Sequence, residues 1–265
     1  MLEQQVSMST ATMLNLIRRT GAEPHIVLAG TPTWEDERAR TKADERANTE
    51  LARLGLYDGR NVHPGLKATV EAIARPALEY YAWVNGGIDN QRLNYTVLAG
   101  TAAGEAFVVV RHSDADRVAF GSVHPNELME NFLAQLPNLG PGRGHPLRVP
   151  KSELSGGTKR REFDGENFSV MSNGRRSAGS SEVAEIRRIL GLPRLGGGSL
   201  YVAARSRGGK RERAERPVNY IDTTEGRWLT EEVPGSGEPA VSFTPATPHL
   251  LGERLRNAQS RIPVT

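Results

Sequence analysis

Histidine is the side chain best suited to metal binding or acid–base chemistry in this sequence. The histidines form no HxH, HExxH or HxxxH pattern, the spacings that bring two imidazoles to one metal ion. Several stand next to proline at predicted helix starts, where capping is the expected role. The chain has no cysteine, which excludes thiolate sites and disulfides. We therefore expect no metal site and no cofactor. The histidines are His25, His63, His112, His124, His145 and His249.

The glycine-rich segments do not resemble phosphate-binding loops. "GPGRG" at 140–144 and "RLGGGS" at 194–199 lack the strand–GxGxxG–helix context that places a phosphate at a helix N-terminus. The sequence also contains no GxxxxGK[ST] loop and no GxSxG nucleophile elbow. These patterns indicate no catalytic centre, and we expect a protein that is not an enzyme.

One basic segment, "RSRGGKRERAERP" at 205–217, could bind a polyanion. It carries no interleaved aromatic residue for base stacking, and Glu212 and Glu215 would repel phosphates. The whole chain has 34 basic and 31 acidic residues, a net charge of only +3. We therefore favour a solvated loop between two strands and expect no nucleic-acid partner. A nucleic-acid-binding module using residues 205–216 is the alternative.

The N-terminal third is predicted to be mostly helical. A helix over "STATMLNLIRR" precedes "HIVLAG" at 25–30, an apolar run that we interpret as a buried strand. A long helix follows. A third helix has Pro64 near its first turn and Leu66, Val70 and Ile73 on its apolar line, and Pro76 either kinks or ends it. The N-terminus does not have the pattern of a secretory signal, and no run of 18 apolar residues predicts membrane insertion.

The periodicity then changes from 3.6 residues to two. "EYYAWVNGG", "RLNYTVLAG", "EAFVVVRHS" and "RVAFGSV" are strand candidates whose short links predict an antiparallel meander. A similar block near the C-terminus reads "GGGSLYVAARSR", "ERPVNYIDT", "GRWLTEEV" and "AVSFTPA". A helix over "SSEVAEIRRILGL" precedes that block, with Val183, Ile186 and Leu190 predicted to face inward.

The two blocks end in segments of similar sequence, "VAFGSVHPNELMENFL" at 118–133 and "VSFTPATPHLLGERLR" at 241–256. Val118, Phe120, Pro125, Leu128, Glu130 and Phe132 match residues of the second segment at one fixed offset. We interpret this as an ancient duplication, with chance convergence of two strand–turn–helix units as the alternative. The predicted fold is α+β, with a central, mainly antiparallel twisted sheet flanked by helical bundles. Its halves, 1–137 and 159–265, would be related by a quasi-twofold and joined by a linker over 138–158.

Between two strongly apolar strands lies a hairpin tip of small residues, Thr101–Gly104. It is either an ordinary turn or part of a contact surface. An apolar antiparallel sheet with one incompletely covered face is suited to docking an amphipathic helix. The sequence therefore favours a binding protein over a catalyst.

Several motifs together resemble the EspG family, the cytosolic chaperones of type VII (ESX) secretion in actinobacteria. In the N-terminal half they are "WEDER" at 34–38, "ANTELARLGL" at 47–56, "VHPGL" at 62–66 and "EYYAWV" at 79–84. In the C-terminal half, "YIDTTEGRWL" at 220–229 resembles the family's IIDTPxGR hairpin, and "SFTPAT" at 242–247 its STFTPGS signature. The order of these motifs spans nearly the whole chain.

The resemblance implies a cytoplasmic chaperone that binds a PE–PPE heterodimer through the helical tip of the PPE protein. It also implies a monomer or weak dimer that uses its sheet face, a strand-connecting loop and the C-terminal bundle for binding. That loop is shorter here than family members can have. The partner-binding residues carried over are Gly100, Thr101, Ala102, Ala103, Gly104 and Glu105 in the loop, Asn94 and Thr96 on the sheet, and Arg187 and Leu190 in the bundle.

Overall fold

The computed structural model describes residues 2, 4–29, 36–88, 91–155, 178–235 and 237–263. The helices of this part of the chain are α1 (Thr10–Arg19), α2 (Glu37–Arg53), α3 (Pro64–Ala74), α4 (Leu128–Leu133), α5 (Lys151–Ser155), α6 (Ala178–Gly191) and α7 (Pro248–Gln259). The strands are β1 (Val6–Ser9), β2 (Leu78–Ile88), β3 (Gln91–Ala102), β4 (Glu105–His112), β5 (Arg117–Val123), β6 (Leu147–Pro150), β7 (Arg194–Arg205), β8 (Arg211–Arg213), β9 (Val218–Thr223), β10 (Gly226–Val233) and β11 (Ala240–Pro245). The predicted α+β class with antiparallel strands is confirmed.

The chain divides into two compact units, neither of which is one continuous stretch. The first unit comprises Met1–Asn138, Gly196–Val218 and Pro248–Thr265, and the second comprises Leu139–Leu195 and Asn219–Thr247. The predicted division into halves 1–137 and 159–265 stays a prediction. The segment 138–158 contains β6 and α5, which the sequence analysis did not predict.

The first unit is built on an antiparallel sheet in the order β1-β5-β4-β3-β2-β7, with β8 paired to β7. Its β2–β5 part is the predicted meander. Helices α1, α2 and α3 pack in one core with the sheet. The largest buried members of this core include Met13, Ile17, Leu51, Leu66, Tyr81, Phe107 and Phe120.

Helices α4 and α7 pack against the opposite face of this sheet. The ring of Phe132 on α4 lies 5.8 Å from that of Tyr80, and consecutive strand residues such as Tyr80 and Tyr81 point to opposite faces. Gly252 on α7 lets the two helices approach, because a Cβ there would lie 3.2 Å from Leu133 Cδ1. The first sheet is therefore covered on both faces, although not along its whole length.

The second unit contains the antiparallel strands β9, β10 and β11, with β6 paired to β11. Its core is formed by apolar side chains of these strands and of α6. They are Leu147, Val149, Val183, Ile186, Ile189, Ile221, Trp228 and Phe243. Ile189 takes the inward position predicted for Leu190, because the helical period allows a step of either three or four residues.

The "IDTTEGR" motif forms the β9–β10 hairpin and has a structural role. Arg227 donates to Asp222 through two hydrogen bonds of 2.7 and 2.8 Å, and both side chains are buried. Gly226 has a φ of 114°, and a Cβ there would lie 2.4 Å from the Pro141 carbonyl oxygen. The "IDTTEGR" motif therefore stabilises the β9–β10 hairpin through a buried ion pair and a close backbone approach.

The two copies of the repeat form the same local structure, a strand followed by a helix. In each copy, an apolar residue of an earlier strand lies opposite each matched strand position. The opposing pairs are Val6–Phe120 and Met8–Val118 in the first copy, and Leu147–Phe243 and Val149–Val241 in the second. The likeness therefore extends to the partners of the repeated strands, which supports the proposed duplication.

Two segments differ from their predicted structure. In the predicted strand "HIVLAG", residues 26–28 instead form a turn in which Val27 and Leu28 are buried. Thr96 on β3 donates a hydrogen bond to the Val27 carbonyl, and Arg111 on β4 donates one to the Ala29 carbonyl. The basic segment 205–217 forms a hairpin that includes β8, and is more ordered than the predicted loop. The long second helix, α2, begins after Asp36, whose side chain accepts a hydrogen bond from the Ala39 N–H.

The Glu50 carboxylate on α2 forms hydrogen bonds with residues at the start of α1. Glu50 accepts hydrogen bonds from the Ser9 N–H at 2.8 Å and from the hydroxyls of Ser9 and Thr12, both at 2.6 Å. Burial disfavours the charged carboxylate, but these three donors outweigh it and lower the pKa of Glu50. The same contact satisfies an N–H at the end of the edge strand β1.

We expect Gly142→Ala to lower the free energy of unfolding by about 3 kcal/mol, because the new Cβ would lie 2.2 Å from the buried ring of Trp228. Gly140→Ala is the matched control, since nothing lies within 4 Å of its Cβ position. Denaturant unfolding followed by tryptophan fluorescence measures both variants. Equal stabilities of the two would contradict this close approach.

We expect Glu50→Gln to lower the free energy of unfolding by about 1–2 kcal/mol at neutral pH. Because the folded-state pKa is lowered, the stabilisation is present above the ordinary value of 4.5 and is lost as the pH falls through the folded-state pKa. The difference between wild type and Glu50→Gln should therefore shrink in acid. Glu45→Gln, exposed on the same helix, is the control. A difference that is independent of pH would refute the assignment.

Candidate partner-binding surface

The first unit presents three aromatic rings on neighbouring strands, which we call the aromatic strip: Tyr81 and Trp83 on β2, and Tyr201 on β7. Tyr81 lies directly opposite Tyr201 in the strand register, and their rings stack at 5.0 Å. Trp83 meets both tyrosines edge-on, at 5.6 and 5.3 Å. Tyr81 is buried, whereas Trp83 and Tyr201 are half-buried. The strip therefore combines a rigid geometry with apolar surface that is accessible to a partner.

A cavity of about 290 Å³ lies beside this strip, and we call it the strip pocket. Its walls include the segment 23–26, the end of α3 and the β7–β8 hairpin. Ile26 stands at its rim with 63% of its surface exposed, the largest exposure of any large apolar residue in the described chain. The pocket is therefore open, apolar at its aromatic floor, and bordered by a second exposed apolar side chain.

Glu79 is buried in the wall of the strip pocket, with only 2% of its side chain exposed. The guanidinium of Arg211 forms an ion pair with this carboxylate, and His25 Nε2 lies 3.3 Å from Glu79 Oε1. Burial disfavours ionisation, but the contacts of His25 and Arg211 outweigh it and lower the pKa of Glu79. His25 also meets the Tyr81 ring edge-on at 4.7 Å. This ionic cluster joins three separate chain segments at one point.

Arginine side chains border the aromatic strip. The guanidinium of Arg211 lies 5.5 Å from the Tyr81 ring centre, and that of Arg213 lies 5.4 Å from the Tyr201 ring centre. Arg205 also lines the strip pocket. Such cation–π contacts hold arginine side chains in place next to apolar surface.

The structure places the predicted loop residues in a tight hairpin. Thr101 and Ala102 belong to β3 and Glu105 to β4, so that the turn itself consists of Ala103 and Gly104. Both turn residues have positive φ, 52° and 83°, as a two-residue hairpin turn requires. Ala103, Gly104 and Glu105 are exposed, and Ala102 packs partly against the core.

Gly100 is buried, and its role here is structural. A Cβ at this position would lie 2.9 Å from both the Leu78 carbonyl oxygen and Phe107 Cζ. Gly100 lies opposite Glu79 in the β2–β3 register. Its lack of a side chain therefore permits close packing at the ionic cluster.

Asn94 and Thr96 lie on β3, and Thr96 is directly opposite Trp83. Thr96 is buried and donates a hydrogen bond of 2.6 Å to the Val27 carbonyl, which fixes the segment 23–29 over the sheet. Asn94 is exposed and donates to Asp114 Oδ1 at 3.1 Å. Of these two predicted residues, only Asn94 presents an accessible polar group.

Arg187 and Leu190 lie on α6 in the second unit. Leu190 is 53% exposed, contrary to the inward orientation predicted for it, and so is available for contact. Arg187 is exposed and donates a hydrogen bond of 2.8 Å to the Glu153 carbonyl on α5. Their assignment to partner binding stays a prediction.

Ile26, Trp83 and Tyr201 belong to this candidate surface but were not predicted from the sequence. "EYYAWV" contains a usable signal, because residues two apart on a strand share a face and Tyr81 and Trp83 are both aromatic. The pairing of Tyr81 with Tyr201 depends on the register of two distant strands, which no local pattern gives. The exposure of Ile26 was not predicted, because "HIVLAG" was interpreted as a buried strand.

The described residues include no group of three potential metal ligands from His, Asp or Glu. None of the described helices is both long enough and apolar enough to span a membrane. The chemistry of the aromatic strip is that of noncovalent apolar contact bordered by charge.

Comparison with solved structures finds the type VII secretion system chaperone EspG5 of Mycobacterium tuberculosis, solved in complex with a PE25-PPE41 dimer. The two chains are 16% identical and superpose with a TM-score of 0.61 over 98% of this chain and 97% of that one. This likeness shows a shared fold. No curated protein sequence matches this chain.

The family model of the EspG family matches residues 9–257, nearly the whole chain. The match includes both copies of the repeat, the β9–β10 hairpin and the strands that carry the aromatic strip. This chain therefore belongs to the EspG family.

Proposed function

We propose that this chain is a cytosolic chaperone of a type VII (ESX) secretion system. It binds the helical tip of a cognate PPE protein in a PE–PPE heterodimer, keeps the heterodimer soluble and directs it to secretion. The observation that carries the proposal is the shared fold, over 98% of this chain, with an EspG chaperone solved in complex with a PE25-PPE41 dimer. The family match over residues 9–257 supports it independently.

The aromatic strip gives this function a physical basis. An exposed apolar helix tip tends to self-associate, and covering it with another apolar surface prevents this. Trp83, Tyr201 and Ile26 offer such a surface, and rigid aromatic side chains lose little conformational entropy when they bind. Apolar burial contributes about 25 cal/mol per Å² before ordering costs are subtracted. Binding of this kind requires no catalytic group, and we propose that the protein is not an enzyme.

Polar groups of the β3–β4 hairpin would select the correct partner. Asn94 and Glu105 are exposed at its two ends. A partner that buries one of these polar groups without a hydrogen bond would bind more weakly. We assign Thr101–Glu105, together with Asn94, to partner selection, and Arg187 and Leu190 to a further contact. Gly100 and Thr96, which are buried, support this surface structurally.

The alternative of a nucleic-acid-binding module is weakened by two ion pairs in the basic hairpin. Lys210 pairs with Glu212, and Arg211 pairs with the buried Glu79. These carboxylates neutralise two of the cations that would otherwise contact phosphates. We therefore retain the chaperone as the proposed function.

We expect Ile26→Asp to weaken the complex with a PE–PPE heterodimer by about tenfold or more, because a charge would replace an exposed apolar contact. Leu54→Asp is the matched control, since Leu54 is 41% exposed but lies outside the strip pocket. The chain is co-expressed with candidate heterodimers, and gel filtration followed by calorimetry measures the complex. If no heterodimer binds the wild-type chain, the proposed function fails. Equal losses in both variants would argue against the strip as the contact.

We expect Ala103→Glu to weaken the same complex without unfolding the protein, because Ala103 is exposed at the hairpin tip. A charge at Ala102 would be a poorer test, since that residue packs partly against the core. Ala115→Glu is the matched control: it makes the same change of charge at the exposed turn between β4 and β5, at the other end of β4. We expect it to weaken the complex less than Ala103→Glu does. Normal binding by Ala103→Glu would remove the tip from the binding surface while leaving the chaperone function intact.

A further inference from the structure

The basic β7–β8 hairpin is only partly neutralised by its own chain. Its cations are Arg205, Arg207, Lys210, Arg211 and Arg213. Lys210 and Arg211 form ion pairs with Glu212 and Glu79. Among the described residues, the other three have no carboxylate within ion-pair distance. The hairpin thus retains positive charge next to an open apolar pocket.

Two of the three unpaired arginines, Arg205 and Arg213, line the strip pocket. Arg213 is exposed, and its guanidinium is held 5.4 Å from the Tyr201 ring centre. Arg205 donates from Nη1 to the Gly209 carbonyl at 3.2 Å, whereas its Nε is buried with no hydrogen-bond partner among the described atoms. Arg213 is thus the exposed cation of this pocket, and Arg205 adds a second, half-buried positive charge to the same wall.

The acidic residues around the pocket leave these two arginines free. Glu79 is buried and already contacts both Arg211 and His25. Glu23 lines the pocket and is exposed, but it forms no ion pair with either arginine. Glu212 pairs with Lys210. An additional carboxylate could therefore enter the pocket and meet two cations.

We propose that Arg205 and Arg213 form a carboxylate-binding site that selects an acidic side chain on the apolar helix tip of the partner. This inference rests on the proposed function and specifies the chemistry of its partner. The partner's apolar residues contact Trp83, Tyr201 and Ile26, and an Asp or Glu next to them on the same helical face accepts hydrogen bonds from the two guanidinium groups. A guanidinium fixed beside an aromatic ring is already oriented, and so loses little freedom when it binds a carboxylate.

This site would determine which partners are accepted. A helix tip with a basic residue at the matching position would place like charges together and be rejected. A tip with only apolar residues would cover the two guanidinium groups without offering them an acceptor. The site therefore discriminates among partners that share a similar apolar surface.

The experiment compares Arg213→Glu with Arg207→Glu in complexes with a heterodimer shown to bind the wild-type chain. Arg207 is an exposed cation of the same hairpin that does not line the pocket, so the two variants make the same change of charge. We expect Arg213→Glu to weaken binding by about tenfold or more, and Arg207→Glu by less than about twofold. Wild-type affinity should also fall as salt is raised, whereas Arg213→Glu should have lost most of this dependence.

Three outcomes would overturn the proposal: normal binding by Arg213→Glu, equal losses in both variants, or salt-independent wild-type binding. Circular dichroism checks folding, and Arg213→Met replaces Arg213→Glu if the latter does not fold. Binding of a DNA or RNA oligonucleotide that both glutamate variants abolish would assign the hairpin to a polyanion instead. Because the heterodimer is first shown to bind the wild-type chain, failure here is distinct from failure of the proposed function.

Discussion

The buried carboxylate of Glu79 is the interaction on which the exposed surface of the first unit depends. A carboxylate removed from water is strongly destabilising unless it is paired and hydrogen-bonded. Arg211 can reach it only if the β7–β8 hairpin folds back along the sheet, and His25 only if the segment 23–29 crosses β2. These two segments are the walls of the strip pocket. One buried charge therefore shapes the cleft whose floor is aromatic.

The chain separates the residues that maintain its fold from those that are available for binding. The motif "IDTTEGR", which resembles a hairpin of the family, forms a buried ion pair and a turn at a glycine of positive φ in the second unit. Ile26 and Arg213 lie outside the motifs that resemble the family, whereas Trp83 lies in one, "EYYAWV". All three side chains reach the surface. This division allows the fold to be retained while the contact surface changes.

The sequence predicted elements wherever local information was sufficient. Helix α3 follows from Pro64 and its apolar spacing, and the β2–β5 meander from its short links. Strand β6 was missed because its Gly- and Pro-rich surroundings resemble a linker and its partner β11 is far along the chain. Within the candidate site, the tip of the β3–β4 hairpin could be predicted from the run of small residues at Thr101–Gly104. The aromatic strip could not, because it depends on the register between β2 and β7.

A protein that exposes an apolar strip must also avoid binding itself. Here the strip is short, its innermost ring is buried, and arginines border it. Two copies meeting through this surface would bring Arg213 of each against the positive charge of the other, which disfavours the contact. A helix tip carrying a carboxylate meets no such repulsion. The charges around the strip therefore oppose self-association while permitting a complementary partner, which a chaperone for apolar helices requires.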